Sequence, residues 1–346
     1  MMSKFAVVSY RLGLTDGVSV EAAKWAWALR ELGHSVVTVA GAGVADVLVD
    51  GLGLDAEVGP DVDELSRAMS DADVVLVENV CSLPINRPAA DAVAALLGGR
   101  RAIMHHHDLA LQRPLLAHLG PPPDDPQWRH VTINQLSQRL LAEHGIDATV
   151  ITNHFDMDPP AGNRDAMRSA IDLRSSATLL VHPVRAIPRK DVAAALRLAE
   201  RLGAVYWLIG GAEDGFAGEL ATLLNYARTG VRQGVPPGFS IADVYAASDV
   251  VVLSSTWEGF GNAAIESVAF RRPLARRRYP VMAEIERHGL HFFDLDAIES
   301  LEKFVELPDT ELLDENVRIA RQVYDLALLP GRLAALLDSP TKTDQR

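Results

Sequence analysis

Cysteine is almost absent from this 346-residue chain. Cys81 is the only one, so no internal disulfide can form, which fits a reducing cytosol. Apolar runs long enough to span a bilayer are missing as well. The opening MMSKFAVVSY carries one lysine and no extended apolar core, so neither a signal peptide nor a membrane span is expected, and a cytoplasmic location is. Positive charge is in deficit: the formal net charge is −13, which argues against nucleic acid as an electrostatic partner. No low-complexity tract, no repeat of solenoid length and no Walker-type phosphate loop occurs, so disordered, repeat and P-loop classes drop out. What is there, 48% hydrophobic and 23% charged residues, is the composition of an ordinary globular protein long enough for two cores.

The chain alternates between short apolar runs and helical patterns. FAVVSY from Phe5, SVVTVAG from Ser35, DVVLVENV from Asp73, RAIM from Arg101, HVTIN from His130 and ATVIT from Ala148 read as strands. They are continuously apolar, as strands covered by helices on both faces must be. SVEAAKWAWALRELG places Ala22, Trp25, Leu29 and Leu32 on one helical stripe, with Trp25 a core residue. After the turn-rich break FDMDPPAGNRD the alternation restarts with TLLVHPV, DVAAALRLAERLG, AVYWLIGG and DVVVLSS. The pattern predicts an α/β protein of two doubly wound, Rossmann-like domains facing each other across a cleft. The expected boundaries are 1–158, the first domain; 159–313, the second; 314–338, a helical segment packing back toward the first domain; and 339–346, an unstructured tail. Pro330 is expected to break or kink the helix DENVRIARQVYDLALL.

One stretch carries more chemistry than the rest, STWEGFGNAAIESVAF, Ser255 to Phe270. It follows an apolar strand, and in an open parallel sheet ligands bind beyond the carboxyl ends of strands. Gly259 and Gly261 leave the main chain bare. Asn262 suits an N-cap, and a helix N-terminus attracts an anion such as a diphosphate. Glu266, one turn inside that helix, can reach hydroxyls of a ribose, and Glu258 those of a second polyhydroxylated group. Upstream, HPVRAIPRKD puts Arg185, Arg189 and Lys190 in the loop after a strand, a guanidinium fork and a point charge suited to phosphate oxygens.

These residues resemble the retaining glycosyltransferases of the GT-B fold, family GT4. EGFGNAAIE, Glu258 to Glu266, is similar to that family's pair of glutamates separated by seven residues, and RAIPRK, Arg185 to Lys190, to its Arg…Lys diphosphate clamp. GLTDGVSVEAAKWAWALRELGHSVVTVAG and VITNHFD match more loosely, with His154 and Phe155 replacing the usual pair. The resemblance implies a glycosyltransferase moving a sugar, with retention, from a nucleotide-diphosphate sugar bound by residues 159–313 to a small-molecule or glycan acceptor bound by residues 1–158, with no metal and no cofactor. It implies that Arg185 and Lys190 hold the diphosphate, that Phe260, Gly261 and Asn262 touch phosphate or sugar, that Glu266 meets the ribose and Glu258 the donor sugar, and that Gly17 lets the N-terminal loop close over the phosphates. Asp16 and Asp108 stand as acceptor-side candidates. In RAIMHHHDLALQR the family has one histidine at the reaction centre, and any of His105, His106 and His107 can fill that place. His107 is assigned here because Asp108 beside it can orient the ring.

Other patterns compete. A zinc site on the three histidines is disfavoured because adjacent strand residues point to opposite faces. GAGVAD, from Gly41, nearly spells a dinucleotide fingerprint, but Asp46 fills the third glycine position. RRPLARRRY, Arg271 to Tyr279, reads as a solvated basic face or a contact for a phosphorylated acceptor. A non-catalytic nucleotide-sugar-binding module and a GT-B sugar-nucleotide epimerase remain the alternative functions. The base, the sugar, the acceptor and the oligomeric state are not encoded in any motif.

Overall fold

A computed structural model describes residues 2–213 and 215–339; of the tail expected at 339–346, all but Ser339 lies outside the described residues. The chain divides into two compact units, one of residues 1–154 and 326–346, the other of residues 155–325.

The first unit is built on a seven-stranded sheet. Its strands are β1 (Lys4–Ser9), β2 (Ser35–Ala40), β3 (Val47–Leu48), β4 (Val74–Glu78), β5 (Ala102–His106), β6 (Trp128–Thr132) and β7 (Ala148–Val150). Their spatial order is β3-β2-β1-β4-β5-β6-β7, with every pair parallel. The unbroken apolar runs follow from this architecture. Phe5 and Val7 enter one layer with Trp25, Leu29, Leu329 and Leu333, while Ala6 and Val8 enter the other with Leu65, Val93 and Leu97. Both faces of the central strands β1, β4 and β5 are therefore buried, and polar alternation is excluded there. The helix Gly17–Glu31 begins at Asp16, whose carboxylate accepts from the Ser19 amide (3.3 Å) and hydroxyl (2.8 Å), satisfying donors that no helical carbonyl can reach. GAGVAD is a structural turn. A Cβ on Gly41 would collide with the backbone of Gly53, and Asp46 accepts from the Thr38 amide and hydroxyl, each at 2.8 Å.

The second unit holds a six-stranded sheet of β8 (Leu179–His182), β9 (Val205–Leu208), β10 (Val231–Gln233), β11 (Val250–Leu253), β12 (Leu274–Arg276) and β13 (Phe293–Asp294). Its order is β10-β9-β8-β11-β12-β13, again parallel throughout. Strand β12 corrects the solvated reading of the basic run. Arg276 is 3% exposed and is ion-paired to Glu286 and Asp294, the latter at 2.9 Å, whereas Arg271 and Arg278 at the two ends are exposed. A guanidinium buried this deeply is costly without compensating charge, and two carboxylates supply it here.

The C-terminal helix is also corrected. The helix Thr310–Tyr324 stops at Asp325, and a new helix, Leu329–Asp338, starts with Pro330 in its first turn. There the missing N–H costs nothing and the fixed φ favours the helix, so the proline initiates rather than breaks.

Candidate functional site

In the second unit the site grows from the carboxyl ends of β8 and β11. Beyond β8 the chain forms a single 3-10 turn, Pro188–Lys190. It then passes through Asp191 in left-handed conformation (φ 44°), which caps the helix Val192–Arg201 by accepting from the Ala194 amide at 3.0 Å. Beyond β11, the Ser254 hydroxyl donates to the carbonyl oxygen of Lys190 at 2.7 Å, and the Thr256 amide donates to that of Arg189 at 2.9 Å. These bonds tie the two loops together.

The tie brings Glu258 onto both cations. One carboxylate oxygen accepts from Arg189 at 2.7 Å and the other from Lys190. Arg189 also reaches the Trp257 carbonyl oxygen at 2.8 Å. Glu258 is 7% exposed. Burial alone would push its carboxyl up, but Lys190 and Arg189 outweigh that and hold it below the usual range. Lys190 and Glu258 of the expected set are thus adjacent, and Arg189 joins them. The Arg185 guanidinium lies on Glu213, an exposed ion pair.

Next comes the turn. Gly261 has φ 104° and precedes the helix Asn262–Ala269 as its N-cap, so Asn262 is the first helical residue rather than the cap. Only glycine fits, because a Cβ would strike the Tyr279 hydroxyl, which donates to the Phe260 carbonyl oxygen at 3.2 Å. Phe260 itself is buried, with its ring on Phe155 and Tyr324. Glu266 accepts from the Tyr245 hydroxyl at 2.7 Å. Beneath the loops His182 bonds Tyr206 through Nδ1 (2.8 Å), and burial, with Lys190 nearby, pushes its pKa down to about 3. It is a neutral packing group.

In the first unit a second polar cluster surrounds Glu78, at the end of β4 and fully buried. Both His105 Nδ1 (2.9 Å) and His107 Nε2 (2.7 Å) meet the same oxygen of Glu78. His106, on the opposite face of β5, pairs with His130 at 2.9 Å. Glu78, not Asp108, therefore orients His107; Asp108 is engaged by Arg113 at 3.1 Å. The turn is fixed by Asn79 (φ 65°), whose side-chain oxygen accepts from the amides of His107 (3.1 Å) and Asp108 (3.0 Å). Burial would push the Glu78 carboxyl up, but the two imidazoles bring it down to about 2. Burial likewise lowers His107, and its bond to Glu78 outweighs that, holding the imidazolium above its ordinary range. His105 is lowered by burial and stacks on Trp25, ring centres 4.1 Å apart. From the helix Gly17–Glu31, Glu21 and Lys24 pair at 2.5 Å, and Lys24 also reaches the His154 carbonyl oxygen. Gly17 opens that helix and Asp16 caps it.

The three ligand atoms of Glu78, His105 and His107 lie within 4.8 Å of one another, close enough to gather round a metal ion. His106 points to the opposite face, toward His130, whereas His105 and His107 share the side of Glu78. Their 2.7 and 2.9 Å separations are hydrogen-bond lengths, whereas ligands about 2.0–2.1 Å from a tetrahedral zinc stand roughly 3.3 Å apart. The cluster as built is a histidine–carboxylate hydrogen-bond pair. Glu78 had one legible signal, a carboxylate closing the apolar run DVVLVEN; Tyr245 and Tyr279 had none.

Comparison with known proteins gives this geometry a context. Residues 163–314 match the family described as glycosyl transferases group 1. The chain is 24% identical over 405 residues to the mannosylglucosylglycerate synthase of Thermotoga maritima, covering 94% of this chain and 92% of that protein. It is 24% identical over 359 residues to the one of Petrotoga mobilis, covering 80% and 83%. Among solved structures it is similar to Anabaena HepE in complex with UDP-glucose (TM-score 0.74, 18% identity, 97% of this chain and 100% of that one). It is also similar to the sucrose-phosphate synthase of Thermosynechococcus elongatus (TM-score 0.77, 11% identity, 97% and 98%). Among the described residues no helix is long and apolar enough to cross a membrane. Residues 163–314 carry the match to the group 1 glycosyltransferases, and the chain is a glycosyltransferase with the GT-B fold.

Proposed function

We propose that this glycosyltransferase takes its sugar from a nucleotide-diphosphate sugar, transfers it with retention, and needs no metal. The observation that carries the proposal is the convergence of Lys190 and Arg189 on the loop before the Gly261 turn and the helix Asn262–Ala269. Two cations and a helix N-terminus supply the positive field that a departing diphosphate requires. In this reading Lys190 and the helix amides hold the diphosphate, Arg185 swings from Glu213 to assist, Glu266 meets the ribose and Glu258 the donor sugar. In the first unit His107, whose protonated form Glu78 favours, is the candidate catalytic group. Asp16, as helix cap, and Asp108, paired to Arg113, act by shaping their loops. Two of the relatives are named mannosylglucosylglycerate synthases, which makes a glycosylated small hydroxy acid the first acceptor to try.

The test is release of nucleoside diphosphate from a panel of UDP-, GDP- and ADP-sugars, with and without glucosylglycerate, in the presence of EDTA. Turnover with one donor, unchanged by the chelator, and a product whose anomeric configuration equals the donor's is the expected result. Activity lost in EDTA and restored by magnesium or manganese would remove the metal-free claim. Donor binding without transfer to any acceptor would favour a binding module, and conversion of the donor's sugar without release would favour an epimerase.

A further inference from the structure

At the edge of the second unit's sheet opposite Glu258 and Lys190, a cavity of roughly 690 Å³ opens before the first residues of β8, β11 and β12. That volume lies in the range of ordinary small-molecule sites. Its walls combine the apolar surfaces of Phe270, Phe304 and Leu313 with the hydroxyls of Ser175, Ser176 and Thr178.

The charges around it do not balance. Arg164 and Arg168 share one carboxylate, Asp249 (2.5 and 3.2 Å), and Arg271 takes Asp314 at 2.7 Å. Arg272, which also lines the cavity, has no carboxylate. One of its terminal nitrogens makes a long 3.4 Å bond to the Ala246 carbonyl oxygen, and its Nε, shut away from solvent, meets no acceptor. Burial and the neighbouring Arg164 act against its charge, and Asp249, already shared by two other guanidiniums, offsets them only in part. Three guanidiniums of the lining, Arg164, Arg271 and Arg272, against two carboxylates, Asp249 and Asp314, leave one positive charge beside the hydroxyl residues Ser175, Ser176 and Thr178, and Asp249 is shared further with Arg168. A half-buried cation in that position is stabilised by an anion.

We propose that this cavity binds a small phosphate monoester, its dianionic head on Arg272 and the serine hydroxyls and its organic body against Phe270, Phe304 and Leu313. The uncompensated guanidinium favours an anion, and a phosphate's three terminal oxygens match a guanidinium and hydroxyls together. The site is distinct from the proposed donor site and does not depend on that assignment.

The probes are glycerol 3-phosphate, inorganic phosphate and, at matched ionic strength, sodium chloride, followed by calorimetry on the full chain. Three variants accompany the wild type: Arg272→Gln; Ser176→Glu, which places a competing carboxylate in the cavity from an exposed position; and Lys190→Ala, which disables phosphate capture at the proposed donor site. Expected are saturable glycerol 3-phosphate binding by wild type and Lys190→Ala, tighter than that of inorganic phosphate, and at least tenfold weaker binding by Arg272→Gln and Ser176→Glu. Binding abolished by Lys190→Ala yet kept by Ser176→Glu would assign the phosphate to the donor loop and overturn the proposal. So would the absence of saturable binding by wild type, or equal affinity for phosphate and its ester. If Arg272→Gln does not fold, the Ser176→Glu result decides.

Discussion

His107 gains its properties from a residue 29 positions away in the sequence. Glu78 has no solvent to share its charge with, and the two imidazoles replace it. The pH dependence follows from the two shifts. A carboxyl held down to about 2 contributes stability above the ordinary carboxylate pKa and loses it as pH falls toward 2. An imidazole held above its ordinary value contributes fully below that value and loses it as pH rises through the raised one. Both contributions are present together between about pH 4.3 and 6.5. Glu78→Gln keeps the shape but not the charge. It should lower kcat at least tenfold and move the alkaline limb of the kcat profile to lower pH, while donor KM changes little. A uniform loss of activity with an unmoved pH profile would make Glu78 a packing residue alone.

At the scale of elements, the loop after β8 and the turn into the helix Asn262–Ala269 are linked by ion pairs that a ligand must rearrange. Glu258 neutralises Lys190 and Arg189, whereas Glu266 is held by Tyr245, whose ring stacks on Phe270 at 4.7 Å. The two carboxylates therefore fail differently when altered. Glu266→Gln should raise donor KM severalfold with kcat nearly intact, because a ribose contact is the same before and during bond breaking. Glu258→Gln should depress kcat without raising donor KM, since it removes a group near the developing positive charge and frees two cations for the diphosphate. Steady-state kinetics of both variants check this, and identical signatures would give the carboxylates one shared role.

On the scale of the whole molecule, the chain returns at Leu326 to complete the unit it began with. Leu329, Leu333 and Leu336 of the last helix enter the same core layer as Phe5, Trp25 and Leu29. Each buried leucine is worth roughly 1.5–3 kcal/mol, so the three together rival the net stability of a typical domain, about 5–15 kcal/mol. A chain ending at Asp325 should lose cooperative folding of the first unit, or melt far below the full chain, while the second unit keeps its transition. Calorimetry of the truncated chain would show it; an unchanged melting profile would mean that the returning helix is dispensable.

Local chemistry was enough for much of this protein. Continuous apolar runs separated by helical stripes dictated a parallel, doubly wound architecture, because only a sheet covered on both faces hides such strands. The bare glycines, the paired glutamates and Lys190 marked one loop system, because those residue types serve few purposes at a strand's carboxyl end. Tertiary structure decided the partners. Arg189 faces Glu258 while Arg185 lies on Glu213, Glu78 rather than Asp108 holds His107, and Arg276 is buried in a strand although Arg271 and Arg278 of the same run are exposed. Pro330 starts a helix because the chain turns at Asp325. Ion pairs and hydrogen bonds join residues by distance in space, and separations of tens of positions along the chain carry no local pattern from which they can be read.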